Sequence, residues 1–410
     1  MDLLIRNARI VGQKDQKDIG IEAGNIVKIG KVARRARRTI DAKGMLTSPA
    51  FIDPHIHLDK VLIADELGPN VSGTLQEAIE LIWERKRKYT ISDIKRRAGE
   101  VIRMAAVNGT TRMRTHADVD TVGGLMPLKG LLATRRAFKR LMDLQIIAFP
   151  QEGILRDPGA DELMRKAMEL GADIVGGMPH HERSHEEAKR HIDIAFDIAR
   201  EFDADIDMHV DETDDPNSRS LEYLAEKTIA DGYQGRVTAG HTCALAAYPD
   251  DYAREVIHKV KLADINMVTN PVTNLVIQGR EDMQPIRRGI TRVKELLAAG
   301  VNVTFGQDCV DDAFYPFGRA DMLEVALITA HAAQLTTPAE IETVFKMMTT
   351  NAARTLGVLD DYGIALGKRA DLVILDAKSP KDAIRRQGDR RYVIKGGRVI
   401  AESSSLKRLK

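Results

Sequence analysis

The chain is predicted to be an α/β protein: a (β/α)8 TIM barrel carrying a small β-sandwich domain built from the N- and C-terminal segments. Three observations predict it. Eight short apolar segments alternate with longer stretches of helical spacing over about 270 residues, the size of one such barrel. Both chain ends switch to short strand-like runs with Gly at their turns. The C-terminal ends of several central segments carry His, Glu and Asp, where the chemistry of such barrels sits.

Residues 1–48 read as strands. LLIRNARIV lies within Asp2–Val11, and IGIEAGNIVKIG follows with glycines at its turns. The cluster Arg34, Arg35, Arg37 and Arg38 reads as a solvated face rather than an anion patch. The eight central segments are Pro49–Asp59, Thr110–Asp120, Gln145–Gly153, Asp173–His181, Asp205–Thr213, Arg236–Ala244, Asp264–Asn274 and Val301–Val310. Between them, LMRKAMELGA and ITRVKELLAAG have helical spacing and end at Gly. A late helix starts at Thr337-Pro338-Ala339-Glu340, a capping box with Pro at the first helical position. DLVILD at 371–376 and YVIKGGRVIAE at 392–402 return to strands. The expected division is a β-sandwich of residues 1–48 plus 357–405 and a catalytic barrel over 49–356. The tail from Ser403 to Lys410 reads as frayed.

Of 410 residues, 43% are hydrophobic and 30% charged, enough for a large core. Lys plus Arg number 61 against 60 Asp plus Glu, a net charge of +1, which argues against a dedicated nucleic-acid binder. Aromatics at 4% argue against a base-stacking platform. No apolar run approaches the roughly 20 residues of a membrane span. The opening MDLLIRNARIVG lacks the pattern of a signal peptide. Two cysteines, Cys243 and Cys309, cannot build a disulfide framework or a thiolate metal cluster, and they fit a cytoplasmic protein.

Any metal must therefore be held by His, Asp or Glu. Segment one ends in Pro54-His55-Ile56-His57, and residues i and i+2 of a strand share a face. His55 and His57 can thus share one ion at the barrel mouth. His209 closes segment five, with Glu212 three residues on. Segment six ends at His241 and segment eight at Asp308. His55, His57, His209 and Asp308 form a set for one divalent ion, Zn or Fe, leaving Glu212 and His241 as proton carriers. Segment four, DIVGGMPHHE, has no Lys to bridge a second metal, and Lys60 lies past the end of segment one. His116 reads as structural or outer-sphere. His180 and His181 end segment four without indicating which faces a pocket. His185, His191, His258 and His331 read as surface or packing residues, and Cys243 as core.

At PHIHLD (54–59), SGTLQEAIE (72–80), RTHADVD (114–120), FPQEGI (149–154), HVDETDD (209–215), NPVTNLVIQGR (270–280) and RRGITRVKE (287–295), the sequence resembles the amidohydrolase superfamily, within it the bacterial cytosine deaminases. The N-isopropylammelide amidohydrolases are a related branch, closer at Lys60. The resemblance covers nearly the whole chain. It implies a homo-oligomeric hydrolase, acting on a small nucleobase or related N-heterocycle, that converts cytosine or a close analogue to uracil and ammonia by attack of metal-bound hydroxide. It makes Glu212 the proton shuttle to the ring nitrogen. His241 and Asp308 hold and deprotonate the attacking water, and Gln151 reads the pyrimidine O2 and N1 edge. The sequence departs from the pattern at Cys309 and Phe314, where the family carries a substrate-contacting Asp and a Trp. That departure points to other rings as alternatives: isocytosine, a 5-substituted cytosine, creatinine or an aminotriazine.

Overall fold

Each apolar segment of the central region becomes a parallel strand, because helices on the outside and side chains on the inside bury both of its faces. In chain order the strands of the computed structural model are β1 (Leu3–Ile10), β2 (Gln16–Glu22), β3 (Asn25–Gly30), β4 (Arg38–Asp41), β5 (Leu46–Pro49), β6 (Phe51–Ile56), β7 (Thr110–Asp118), β8 (Asp143–Phe149), β9 (Ile174–Gly177), β10 (Asp205–Val210), β11 (Val237–His241), β12 (Asn266–Thr269), β13 (Val303–Phe305), β14 (Leu372–Leu375), β15 (Arg390–Lys395) and β16 (Arg398–Glu402). The structure describes residues 1–406, 408 and 409, so the expected frayed tail lies partly outside the described residues.

Strands β6 to β13 form the barrel in sequence order. Its seam closes where Ile56 bridges Asp308. There the Asp308 N–H donates to the His55 carbonyl at 2.8 Å, and the His57 N–H to the Asp308 carbonyl at 3.0 Å. Gly306 allows this approach, since a Cβ there would lie 2.6 Å from both Cβ and O of His55. The helix Pro338–Met347 has the expected capping box, with Thr337 and Glu340 each bonding the other's backbone.

The second sheet runs β16-β15-β14-β5-β1-β2-β3, with β4 also on β1, and so joins the two chain ends as expected. One element differs from the sequence reading. The first central segment, taken as continuous from Pro49, is two strands. Residues Leu46–Pro49 pair with β14, and the chain crosses into the barrel at Ala50 before Phe51 pairs with Thr110. The crossing leaves no mark in the sequence because every residue of both strands is buried. Among the described residues, no helix is long and apolar enough to cross a membrane.

Candidate active site

His55 lies in β6 and His57 one residue beyond it, so the strand's two-residue period sends both imidazoles into the barrel. His209 comes from β10 across the barrel, and Asp308 from the seam after β13. One donor atom from each of these four buried residues lies within 4.8 Å of the others. The Nε2 atoms of His57 and His209 are 3.0 Å apart. Asp308 Oδ1 stands 3.4 Å from Nε2 of both His55 and His57. Both His55 nitrogens, Nδ1 of His57 and His209, and Asp308 Oδ2 are buried without a hydrogen-bond partner. Burial, reinforced by the Lys60 ammonium near His57 and by neighbouring histidines, pushes the His57 and His209 imidazoles well below their ordinary pKa, keeping them neutral. Neutral imidazoles and a carboxylate converging with unused lone pairs are the donor set of a first-row divalent ion. Gly240 leaves room for His55, because a Cβ there would lie 3.1 Å from its Cε1.

Beside this cluster stand Glu212 and His241, with His241 Nδ1 2.9 Å from Glu212 Oε1. Burial would lower the His241 pKa, but the Glu212 carboxylate beside it prevails and lifts it to about 9. Asp211 positions Glu212 by accepting hydrogen bonds from the N–H groups of Ser220 and Leu221, which fastens the loop to the helix Ser220–Ala230. Sequence reasoning gave no role to Asn270 and Asn274. Asn274 Nδ2 donates to Glu212 Oε1 at 3.0 Å, and Asn270 Nδ2 lies 3.1 Å from His241 Nε2. Their i, i+4 spacing astride the start of the helix Pro271–Ile277 was the available signal. His241 and Asp308 share a further feature no sequence pattern showed: both have left-handed backbone, with φ of 65° and 64°.

An inner cavity joins these groups. It is lined by His57, Gln151, His209, Glu212, His241 and Asp308, and its wall is closed by Leu75, Thr273, Cys309 and Phe314. The structure thus brings together every residue singled out for the site, with His55 packed behind the cavity. Burial raises the Cys309 thiol well above its ordinary pKa, which suits a wall and not a nucleophile. Gln151 reaches the cavity from the loop after β8, and its Oε1 accepts a hydrogen bond from Lys60 Nζ at 2.8 Å. A wider outer cavity opens beyond Leu75 and Glu212, and both His180 and His181 line it. His116 is buried, stacked on His57 with ring centroids 4.8 Å apart and near Asp207. His191 is buried too, held by Glu182 at 2.7 Å, while His185, His258 and His331 are exposed.

The amidohydrolase family profile matches residues 61–401. N-isopropylammelide isopropyl amidohydrolase of Pseudomonas sp. (strain ADP) is 36% identical, over 98% of this chain and 97% of that one. Two crystal structures of 5-methylcytosine deaminase from Klebsiella pneumoniae are also similar. The complex with 5-fluorocytosine has a TM-score of 0.95 at 38% identity, covering 99% of each chain. The complex with phosphonocytosine has a TM-score of 0.96 at 39% identity, covering 99% of this chain and 100% of that one.

Proposed function

The chain belongs to the amidohydrolase family and is a hydrolase of C–N bonds, and from that premise we propose that it deaminates cytosine or a 5-substituted cytosine to the corresponding uracil and ammonia, using one Zn or Fe ion. The observation that carries this reading is the single inner cavity. It gathers a carboxamide, an acid–base pair and three of the four clustered donors within reach of one small ring, with His55 behind them. A metal held by His55, His57, His209 and Asp308 would supply a Lewis acid that acidifies water at neutral pH.

Gln151 binds the O2 and N1 edge of the pyrimidine, which offers an acceptor beside a donor. The Glu212 carboxylate takes one proton of the attacking water and gives it to the ring nitrogen next to the amino-bearing carbon, making that carbon electrophilic. His241 and Asp308 orient the attacking water, and Asp308 takes its other proton. Asn274 holds the Glu212 carboxylate in place by its 3.0 Å hydrogen bond. Asp308 passes the proton it has taken to the amine, which leaves as ammonia. One metal suits the site better than two, because the Lys60 ammonium is already taken up by Asp118 and Gln151 at 2.7 and 2.8 Å.

Cys309 and Phe314 favour a substituted ring. A thiol is a poor acceptor for an amino group, and phenylalanine is smaller than the tryptophan the family carries there. A small apolar substituent at C5 suits such a wall. The same enzyme class that matches over the whole chain acts, by name, on 5-methylcytosine.

The test is ammonia release from cytosine, 5-methylcytosine and 5-fluorocytosine, compared with isocytosine and creatinine, and amine release from N-isopropylammelide. The expected result is the highest kcat/KM among the cytosines, with 5-methylcytosine at least equal to cytosine. Turnover confined to the aminotriazine or to creatinine overturns the proposal.

A further inference from the structure

Lys60 immediately follows Asp59 in the loop after β6, and its side chain is 1% exposed. Its ammonium donates to Asp118 Oδ1 at 2.7 Å and to Gln151 Oε1 at 2.8 Å. Phe149 and Phe314 lie over it, with ring centroids 5.9 and 5.8 Å away. Asp118 is shared with a second buried lysine, Lys86, 2.8 Å from its other oxygen. Lys86 also reaches Asp120 at 2.7 Å and Glu152 at 3.2 Å. Burial works against both ammonium groups, but the carboxylates around them keep both pKa values raised and both lysines charged.

A side-chain amide can turn over, exchanging its oxygen and nitrogen, at little cost in shape. An ammonium has three donors and no acceptor, so it tolerates only the oxygen of Gln151 in front of it. The opposite end of the amide is fixed as well, since Nε2 donates to Met178 Sδ at 3.4 Å. Gln151 therefore meets the cavity in one orientation, its acceptor on the Lys60 side and its donor on the Met178 side.

We propose that Lys60 is a specificity-determining positioning residue: by holding Oε1 of Gln151 it fixes the order of acceptor and donor shown to the substrate. The inference rests on the reading of Gln151 as the residue that binds the ring. Lys60 acts through Gln151 and does not touch the ring. The recognised edge must then present N–H and C=O in one order only, as the N1 and C2 positions of a cytosine do. The charged network from Lys60 to Glu152 anchors this amide from behind, and Trp83 closes it by donating to Glu152 at 2.9 Å.

A double-mutant cycle tests this with steady-state kinetics on 5-methylcytosine and inhibition by phosphonocytosine. Lys60→Met should raise KM about two-fold or more with kcat changed much less, because an amide free to turn shows the right order only about half the time or less. Gln151→Ala should raise KM at least as much. The combination of Lys60→Met with Gln151→Ala should be no worse than Gln151→Ala alone, since the lysine's effect passes through the amide. Should Lys60→Met fail to fold because Asp118 is left with Lys86 alone, Lys60→Met with Asp118→Asn removes both charges and carries the same expectation. Metal content should match wild type in every variant. A further loss on adding Lys60→Met to Gln151→Ala overturns the proposal in favour of direct contact. Unchanged KM in Lys60→Met also overturns it. Unchanged KM in Gln151→Ala instead overturns the reading of the cavity on which it rests.

Discussion

His241 and Asp308 stand on backbone that non-glycine residues rarely adopt, and both border the cavity. Such positions persist only where surrounding contacts over-determine them, and here those contacts are specific. Asp308 is pinned by backbone bonds on both sides to β6, and His241 by Glu212, Asn270 and Asn274. On this backbone the Asp308 and His241 side chains both line the cavity. Two substitutions separate proton transfer from metal binding. Glu212→Gln keeps the shape and the Asn274 contact of the side chain but removes a proton carrier. Turnover should fall by about 10²–10⁴-fold, with metal content equal to wild type. His209→Ala should lose both turnover and bound metal, measured by elemental analysis after dialysis. Wild-type turnover in either variant would remove that residue from the mechanism.

At the scale of elements, the eight barrel strands were legible because short segments of strand length alternate with longer stretches of helical spacing. The sequence segments run past several strand ends, as at FPQEG, PHHE and NPVTN, because the residues beyond are buried too, lining cavities instead of pairing. The His55–His57 pair was legible because a strand's period relates its members directly. Lys60 with Gln151, Asn274 with Glu212, and Glu182 with the loop of Gln151 were not, because each joins elements far apart in sequence. The last of these has a consequence for pH. Glu182 accepts from the N–H groups of Ile154, Leu155 and Arg156 at 2.6, 3.0 and 2.9 Å, and from His191 at 2.7 Å. Burial raises the Glu182 pKa, yet His191 and these N–H groups outweigh it and hold it below 4.5. Burial likewise takes His191 below 6.5. Both folded values are depressed, so both groups contribute stability above their unfolded pKa and lose it as pH falls. The loss should begin near pH 6.5 with His191 and deepen below pH 4.5 with Glu182. Glu182→Gln should cost about 1–3 kcal/mol at neutral pH, by weakening charge-assisted bonds to buried donors. Its Tm should decline less steeply below pH 4.5 than that of wild type, where only the wild-type carboxylate takes up a proton. Parallel Tm curves would remove Glu182 from the acid response.

On the scale of the whole molecule, the barrel is a sheet that must close on itself, and its last strand is its shortest. Across the seam β13 meets β6 through one bridge, Ile56 to Asp308, with Gly306 packed against His55. The expected ligands straddle this junction. His55 and His57 lie on one side, Asp308 on the other, and His209 faces them from β10. A bound ion would therefore tie the first and last strands together as well as serve the reaction, and anything that binds only the folded state stabilises it. Removing the ion should also leave three buried imidazoles and a carboxylate without their partner. Treatment with a chelator should thus abolish turnover and lower Tm together. Free metal at about 1,000 times its Kd should restore about 4 kcal/mol of stability. One equivalent of Zn or Fe per chain should suffice for both effects, and the thermal gain should vanish in His209→Ala. A chelated enzyme that kept full turnover would refute metal dependence, and a requirement for two equivalents would refute the single-ion centre. Turnover lost at unchanged Tm would show that the ion serves the chemistry alone and that the seam closes without it.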